Sequence, residues 1–574
     1  MVFPSASRSR LGSPQETAVA RRQPPRWRAL WPASPGWTAA VALVVAIMLL
    51  PIVTTIVLAL QSADNTWWHL ATTILPRVLR ETALLMAGVS IVTIVVGTLS
   101  AWIVTMYRFP GHALVDRLLV LPLAMPTYII AYAYVDFLDF SGPLQSTLRA
   151  WTGWRSAADY WFPSVRSTGG AVFVMSAALY PYVYLTARAS FVQQSVRVLE
   201  VARTLGQTPW GTFRLVALPL AKPALVAGVM LALMETLNDL GAVQHLGVET
   251  LSAAIYATWL QRSSLPGAAQ IATVALLVVV ALFWIERALR GGGRTHGSSG
   301  RLRAIPFAEL SGARAFVAFV VCLLPALVGF VIPFGVLASN AVTHYADATE
   351  QGFWRAAANS IVLAALAAAT AVALGVIIAY AARVASNAFT RPAVRLAGLG
   401  YALPGTVLAL GLLIPLAGFD NYIDGLSRSW FGISTGLLLS GTVATLVLAY
   451  TVRFLAVAHG SIEAGLERIS PNLDAAARTL GETALSTLRR VHLPLLLPAL
   501  ATSALLVFVD AMKELPTTLL LRPFNFETLS THVYALIALE QVEAASVGAI
   551  AIVLVGLVPV LLLHKAIADG GKGG

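Results

Sequence analysis

A single cysteine, Cys322, stands in the 574-residue chain. No internal disulfide and no cysteine-bound metal cluster can form, so this thiol reads as a small apolar side chain inside an apolar run. Charge is scarce too. Asp, Glu, Lys and Arg make up 11% of the residues, against about 25% in soluble proteins. Apolar residues make up 57% and the mean hydropathy is +0.76. Water would not tolerate that much apolar surface, whereas lipid covers it at no cost. His245, His492 and His532 are scattered, and no His/Cys/Asp/Glu cluster has the spacing of metal ligands, so neither a stable metal site nor a cofactor is expected. The phosphate-cradling pattern G-x-x-x-x-G-K-[ST] is missing as well. The tail around Lys572 has neither its spacing nor its hydroxyl residue. With no nucleophile, metal or phosphate motif, the chain does not read as an enzyme.

What is present is a series of apolar runs. Runs of about 18–25 residues can cross about 30 Å of hydrocarbon as helix. Twelve are expected, over 38–60, 82–106, 118–138, 170–190, 216–238, 268–287, 315–339, 359–382, 397–418, 433–455, 496–512 and 545–564. The fold class is therefore all-α and polytopic. Of the 39 Lys and Arg residues, 29 fall in one alternating set of loops, which includes both ends of the chain. By the positive-inside rule that set is cytoplasmic. The net charge of +12 is then a topology signal, and no nucleic-acid partner is needed to explain it.

The chain also contains itself twice. Ala202-Arg203-Thr204-Leu205-Gly206 recurs as Ala477-Arg478-Thr479-Leu480-Gly481, and Leu218-Pro219-Leu220 as Leu493-Pro494-Leu495, both 275 positions on. Gly97, Ala101 and Pro126 recur at 278 as Gly375, Ala379 and Pro404, and Glu249-Thr250-Leu251-Ser252 as Glu527-Thr528-Leu529-Ser530. Two halves of six spans thus share one orientation, with a pseudo-twofold axis along the membrane normal. The expected division is 1–37, an N-terminal segment rich in Pro and Arg; 38–290, the first half; 291–314, a Gly/Ser-bearing cytoplasmic linker; and 315–566, the second half.

The repeated cytoplasmic loops, 196–225 and 471–500, read as helix, glycine stop, second helix, then a proline-bearing lead into a span. They resemble the "EAA" loop of permeases of binding-protein-dependent ABC importers, in the methionine-permease-like superfamily. The resemblance implies an inner-membrane transport subunit whose loops dock on a separate ATPase dimer, with a periplasmic binding protein delivering substrate. On that resemblance Glu200, Ala202, Gly206, Asp474, Ala477 and Gly481 are the coupling residues. The second loop departs from the pattern, with Ala475 where the acid stands and Asp474 one place earlier.

Glu235-Thr236-Leu237-Asn238-Asp239 and Met512-Lys513-Glu514-Leu515-Pro516 look more narrowly like segments of ferric-iron permeases. Permeases for thiamine, phosphonates or polyamines share that architecture, and a twelve-helix secondary transporter is the alternative outside the family. Glu235 and Asp239 are four apart, as are their counterparts Asp510 and Glu514. A carboxylate in the bilayer is costly, so the two pairs, with Asn238 and Lys513, are candidates for a cation path near the periplasmic side. The plainer readings are solvated span ends, or pairing of Asp510 or Glu514 with Lys513 or Arg522. Tyr128, Tyr132, Tyr134, Trp151, Trp154, Tyr160 and Trp161 read as an interfacial aromatic belt, or else as a docking surface for the binding protein on the 139–169 loop.

Overall fold

A computed structural model describes residues 35–61, 66–194, 204–290, 308–348, 352–385 and 389–570. Among these, eleven helices are long and apolar enough to cross a membrane. They are α1 (Pro35–Leu60), α2 (Trp67–Met106), α4 (Thr168–Val192), α5 (Pro209–Asn238), α6 (Leu265–Arg290), α7 (Gly312–Thr343), α8 (Trp354–Val384), α9 (Gly405–Phe431), α10 (Val443–Arg468), α11 (Ala484–Lys513) and α12 (Val542–Leu562). The remaining expected crossing, α3 (Thr127–Leu138), belongs to a helix pair bent by 99°. Its cause is Pro126. The residue before a proline is pushed out of the helical region, and Met125 sits at φ −105°, ψ 120°.

Two spans begin or end elsewhere than hydropathy suggests. The run expected over 433–455 starts at Val443, because Gly432, Gly436 and Gly441 all take positive φ and hold the preceding stretch out of helix. It then runs on to Arg468, carrying Arg453 and His459 inside the bundle. The proline-bearing lead into α5 and α11 is no break either. Pro209–Thr212 and Ala484–Thr487 continue into the spans through one wider, π-type turn each, Phe213–Ala217 and Leu488–His492, just ahead of Pro219 and Pro494. Wide turns of this kind absorb the hydrogen bond a proline cannot donate.

The duplication holds down to single hydrogen bonds. Leu251 N donates to Thr82 Oγ1 at 3.1 Å, and Leu529 N to Ser360 Oγ at 2.7 Å. Ser252 Oγ donates to Leu237 O at 2.5 Å, and Ser530 Oγ to Met512 O at 2.9 Å. Within each half, α2 lies against α4 and α8 against α10. A Cβ on Gly97 would come within 2.8 Å of Val183, so small residues set these close approaches. The first helix of each half reaches across to the other. Thus α1 packs on both α6 and α9, where a Cβ on Gly411 would meet Pro51 O at 2.2 Å, and α7 packs on α12 and α3. The halves are interlocked, and their seam encloses the site.

Candidate functional site

The central cavity has a volume of about 120 Å³ and lies between the halves. That is room for a small ion together with several waters. All six residues expected on the path line it: Glu235, Asn238 and Asp239 from the end of α5, and Asp510, Lys513 and Glu514 from the end of α11. The helices stop at Asn238 and Lys513, so each acid pair is split between two jobs. Asp239 turns away to cap the next short helix, accepting from Ala242 N at 2.7 Å and from the Thr127 hydroxyl. Glu514 does the same, accepting from Thr517 N at 3.0 Å. Asp239 and Glu514 are buried, so neither is a solvated span end. Glu235 and Asp510 stay half-buried on the cavity wall.

The site also holds a residue that hydropathy hides. Arg453, two residues from the end of the span expected over 433–455, is 5% exposed and lines the cavity. It lies ten residues inside the start of α10, about 15 Å at 1.5 Å per residue. Its Nη1 is 3.8 Å from Glu514 Oε1 and donates to Asn238 Oδ1 at 3.0 Å. Lys513 Nζ pairs with Asp510 at 3.2 Å, while Arg522 pairs with Glu527 at 3.0 Å and takes no part in the cluster. Tyr401 donates to Glu235 at 2.8 Å and Gly405 N to Asn238 Oδ1 at 2.7 Å. A Cβ at position 405 would sit 2.6 Å from Thr517 Oγ1 and 2.9 Å from Glu514 Oε1, so a larger residue there would displace the side chains of the cluster. One signal for Arg453 was available. Ala178, its counterpart 275 positions earlier, is apolar within an equivalent span, so the arginine breaks the repeat.

At the loops, Glu200 and Ala202 lie outside the described residues. The second loop is complete. Helix Pro471–Thr479 ends in a glycine-terminated turn, with Glu482 N donating to Ala477 O and Gly481 N to Arg478 O, both at 3.0 Å. Gly481 has φ +80° and Gly206 has φ +81°, and a Cβ at either would meet nothing within 4 Å. Thr208 and Thr483 cap the helices that follow, each accepting a backbone N–H three residues on. Asp474 faces inward. It is 4% exposed and held by Arg383 at 2.6 Å and by His492 at 3.2 Å. Ala477 is buried beside it. The tips instead present apolar side chains: Leu205 is 76% and Leu480 83% exposed, with Trp210 also open to solvent.

The aromatic belt divides likewise. Tyr128, Tyr132 and Tyr134 are buried, Tyr128 against the cavity, while Trp151 and Trp161 are exposed and Trp154 stacks on Tyr160 at 4.8 Å. No group of three or more His, Cys, Asp or Glu residues that could hold a metal ion occurs among the described residues.

The sequence model of the family "Binding-protein-dependent transport system inner membrane component" matches the chain twice, at residues 93–290 and 371–570. Three relatives illustrate the range. The "Fe(3+)-transport system permease protein FbpB 2" of Haemophilus influenzae is 26% identical over 85% of this chain and 89% of its own length. The "Sulfate transport system permease protein CysT" of Escherichia coli is 32% identical over 42% of this chain and 85% of its own. The "Molybdenum transport system permease protein ModB" of the same organism is 28% identical over 34% of this chain and 86% of its own.

Proposed function

Because the chain belongs to the family of binding-protein-dependent transport system inner membrane components and carries that unit twice, we propose that it imports ferric iron. It is the permease of an ABC importer, not an enzyme. The observation that carries the substrate reading is the charge of the cavity, where four carboxylates face two basic groups. A hard trivalent cation seeks oxygen ligands and gains most from such an excess where water is scarce. Weak, shared contacts suit transit, since an ion held firmly would not leave. The fused relative named for Fe(3+) transport spans both halves. The second reading is an oxyanion such as sulfate or molybdate, favoured by Arg453 and Lys513 on the same wall. Uptake of labelled ferric iron, sulfate and molybdate by cells expressing the transporter separates the two. Iron uptake is expected, reduced about tenfold by Glu235→Gln with Asp239→Asn, the effect of roughly 1.4 kcal/mol on a barrier. Oxyanion uptake with no iron uptake would replace the first reading by the second.

In this reading an ABC ATPase dimer docks on the tips around Gly206 and Gly481, and a periplasmic binding protein delivers the ion from the other side. The same reading puts both termini and residues 291–300 on the cytoplasmic side of the inner membrane. A cysteine at position 296, in a Cys322→Ala background, should then resist a membrane-impermeant maleimide added from the periplasm. Labelling there would reverse the orientation.

A further inference from the structure

The acids of the cavity obey the pseudo-twofold axis and the bases do not. Glu235 and Asp239 match Asp510 and Glu514, but Lys513 has Asn238 as its counterpart and Arg453 has Ala178. Both cations that line the cavity therefore come from the second half. The hydrogen bonds across the seam share this bias. The second half holds the end of α5 by Tyr401 on Glu235 (2.8 Å), Gly405 N on Asn238 (2.7 Å) and Arg453 on Asn238 (3.0 Å). In return, among the described residues, the one hydrogen bond from the first half to the end of α11 is that accepted by Leu123 O, 3.5 Å from Lys513 Nζ. Leu123 and Thr127 stand where Tyr401 and Gly405 stand in the second half, 278 positions on, and a leucine can donate no side-chain hydrogen bond.

We infer that Arg453 is the latch that keeps the path shut, and that it belongs to one half only. Its guanidinium does two things at once. It offsets the buried charge of Glu514 on its own side, and it pins Asn238 on the other. Separation of the halves breaks the second contact and leaves the first, so the arginine stays neutralised while the seam opens. Both of these contacts use Nη1, and a second guanidinium nitrogen, Nε, is buried and has no hydrogen-bond partner among the described residues. The closed arrangement is thus short of one bond at the arginine, and opening forfeits less than a fully satisfied clamp would. A symmetric gate would need both ends of the seam to yield together. Here the end of α5 is the one whose release opens the way, and the end of α11 is already lightly held. The inference rests on the permease fold and holds for either substrate.

The test reads how often the cavity opens. A cysteine replaces Ala178, which lines it, in the Cys322→Ala background. Alkylation of this cysteine by a small impermeant maleimide is followed in the full transporter in proteoliposomes, without substrate. Arg453→Gln should raise the rate about tenfold, the effect of one charge-assisted hydrogen bond on a two-state equilibrium. Asn238→Asp should lower it, since it replaces a neutral partner by a charged one and keeps the oxygen that Gly405 N needs. Arg453→Lys should fall between wild type and Arg453→Gln. If Arg453→Gln does not insert, Asn238→Asp decides alone. A rate unchanged in Asn238→Asp, or unchanged in Arg453→Gln, would overturn the latch.

Discussion

Replacing Asp474 by alanine is expected to loosen the second cytoplasmic loop by about 3–5 kcal/mol, the cost of removing one partner from a buried ion pair. Arg383 is the reason. It donates to Asp474 through Nε at 3.1 Å and Nη2 at 2.6 Å, to Leu466 O at 2.6 Å and to Ile469 O at 3.1 Å. One guanidinium thus ties the end of α8 to the end of α10 and to the helix that follows it. Without the carboxylate a buried cation stands uncompensated. Amide hydrogen exchange across 471–481 should speed up by about two to three orders of magnitude, at about 1.4 kcal/mol per decade. Asp474→Asn should cost less, because it keeps an acceptor. Pairing Asp474→Ala with Arg383→Met should recover part of the loss. Unchanged exchange in Asp474→Ala would mean that the loop is held by packing alone. The same ion pair sets a pH limit. Burial raises the Asp474 carboxyl, but hydrogen bonds from His492 and Arg383 outweigh it and hold the group below the ordinary value of 3.8. This contribution is therefore full above that value and is lost as pH falls below it.

The second large effect is expected at the loop tips. Gly206→Asp and Gly481→Asp should each abolish transport while insertion and folding persist. The backbone at both positions is left-handed, which costs an ordinary L-residue roughly 1–2 kcal/mol, and Asp tolerates it better than most. No atom lies in the way of the new side chain. The fold thus absorbs the substitution, but an apolar tip beside Leu205 or Leu480 acquires a charge in the middle of the proposed ATPase surface. A buried unpaired charge at an interface is among the costliest single changes. Substrate-stimulated ATP hydrolysis by the assembled complex is the measurement. The two variants should differ in degree, because Ala475 stands in the second loop where the first has Glu200. Normal stimulation in both would remove these tips from the coupling surface. Gly481→Asn separates the causes. It suits the left-handed backbone without adding charge, and should couple far better than Gly481→Asp.

How far the sequence reached can be argued residue by residue. Hydropathy and the Lys/Arg bias report how each segment partitions between lipid and water, and that average survives folding. The spans, the all-α class and the duplication were legible for this reason. So were the acids at the ends of α5 and α11, because a carboxylate in an apolar run is conspicuous whatever it touches. Gly206 and Gly481 were legible as helix stops, since a left-handed turn selects glycine locally.

Other features depend on neighbours from about sixty to over two hundred positions away, and no local pattern encodes those. Arg453 stands near the end of the expected span 433–455, where a window average makes a charge unremarkable. Only the tertiary structure supplies Glu514 and Asn238, which let the charge stay inside. Asp474 read as a coupling residue from its place in the loop, and Arg383, 91 positions earlier, turns it inward. Tyr128 read as an interfacial aromatic, yet it is buried against the cavity, within van der Waals reach of the position a side chain on Gly241 would occupy. The sequence by itself determined what lies in the membrane and that it lies there twice. The tertiary structure decided which charges meet at the seam, because pairing energy depends on distance and burial, and both are set by how the two halves pack.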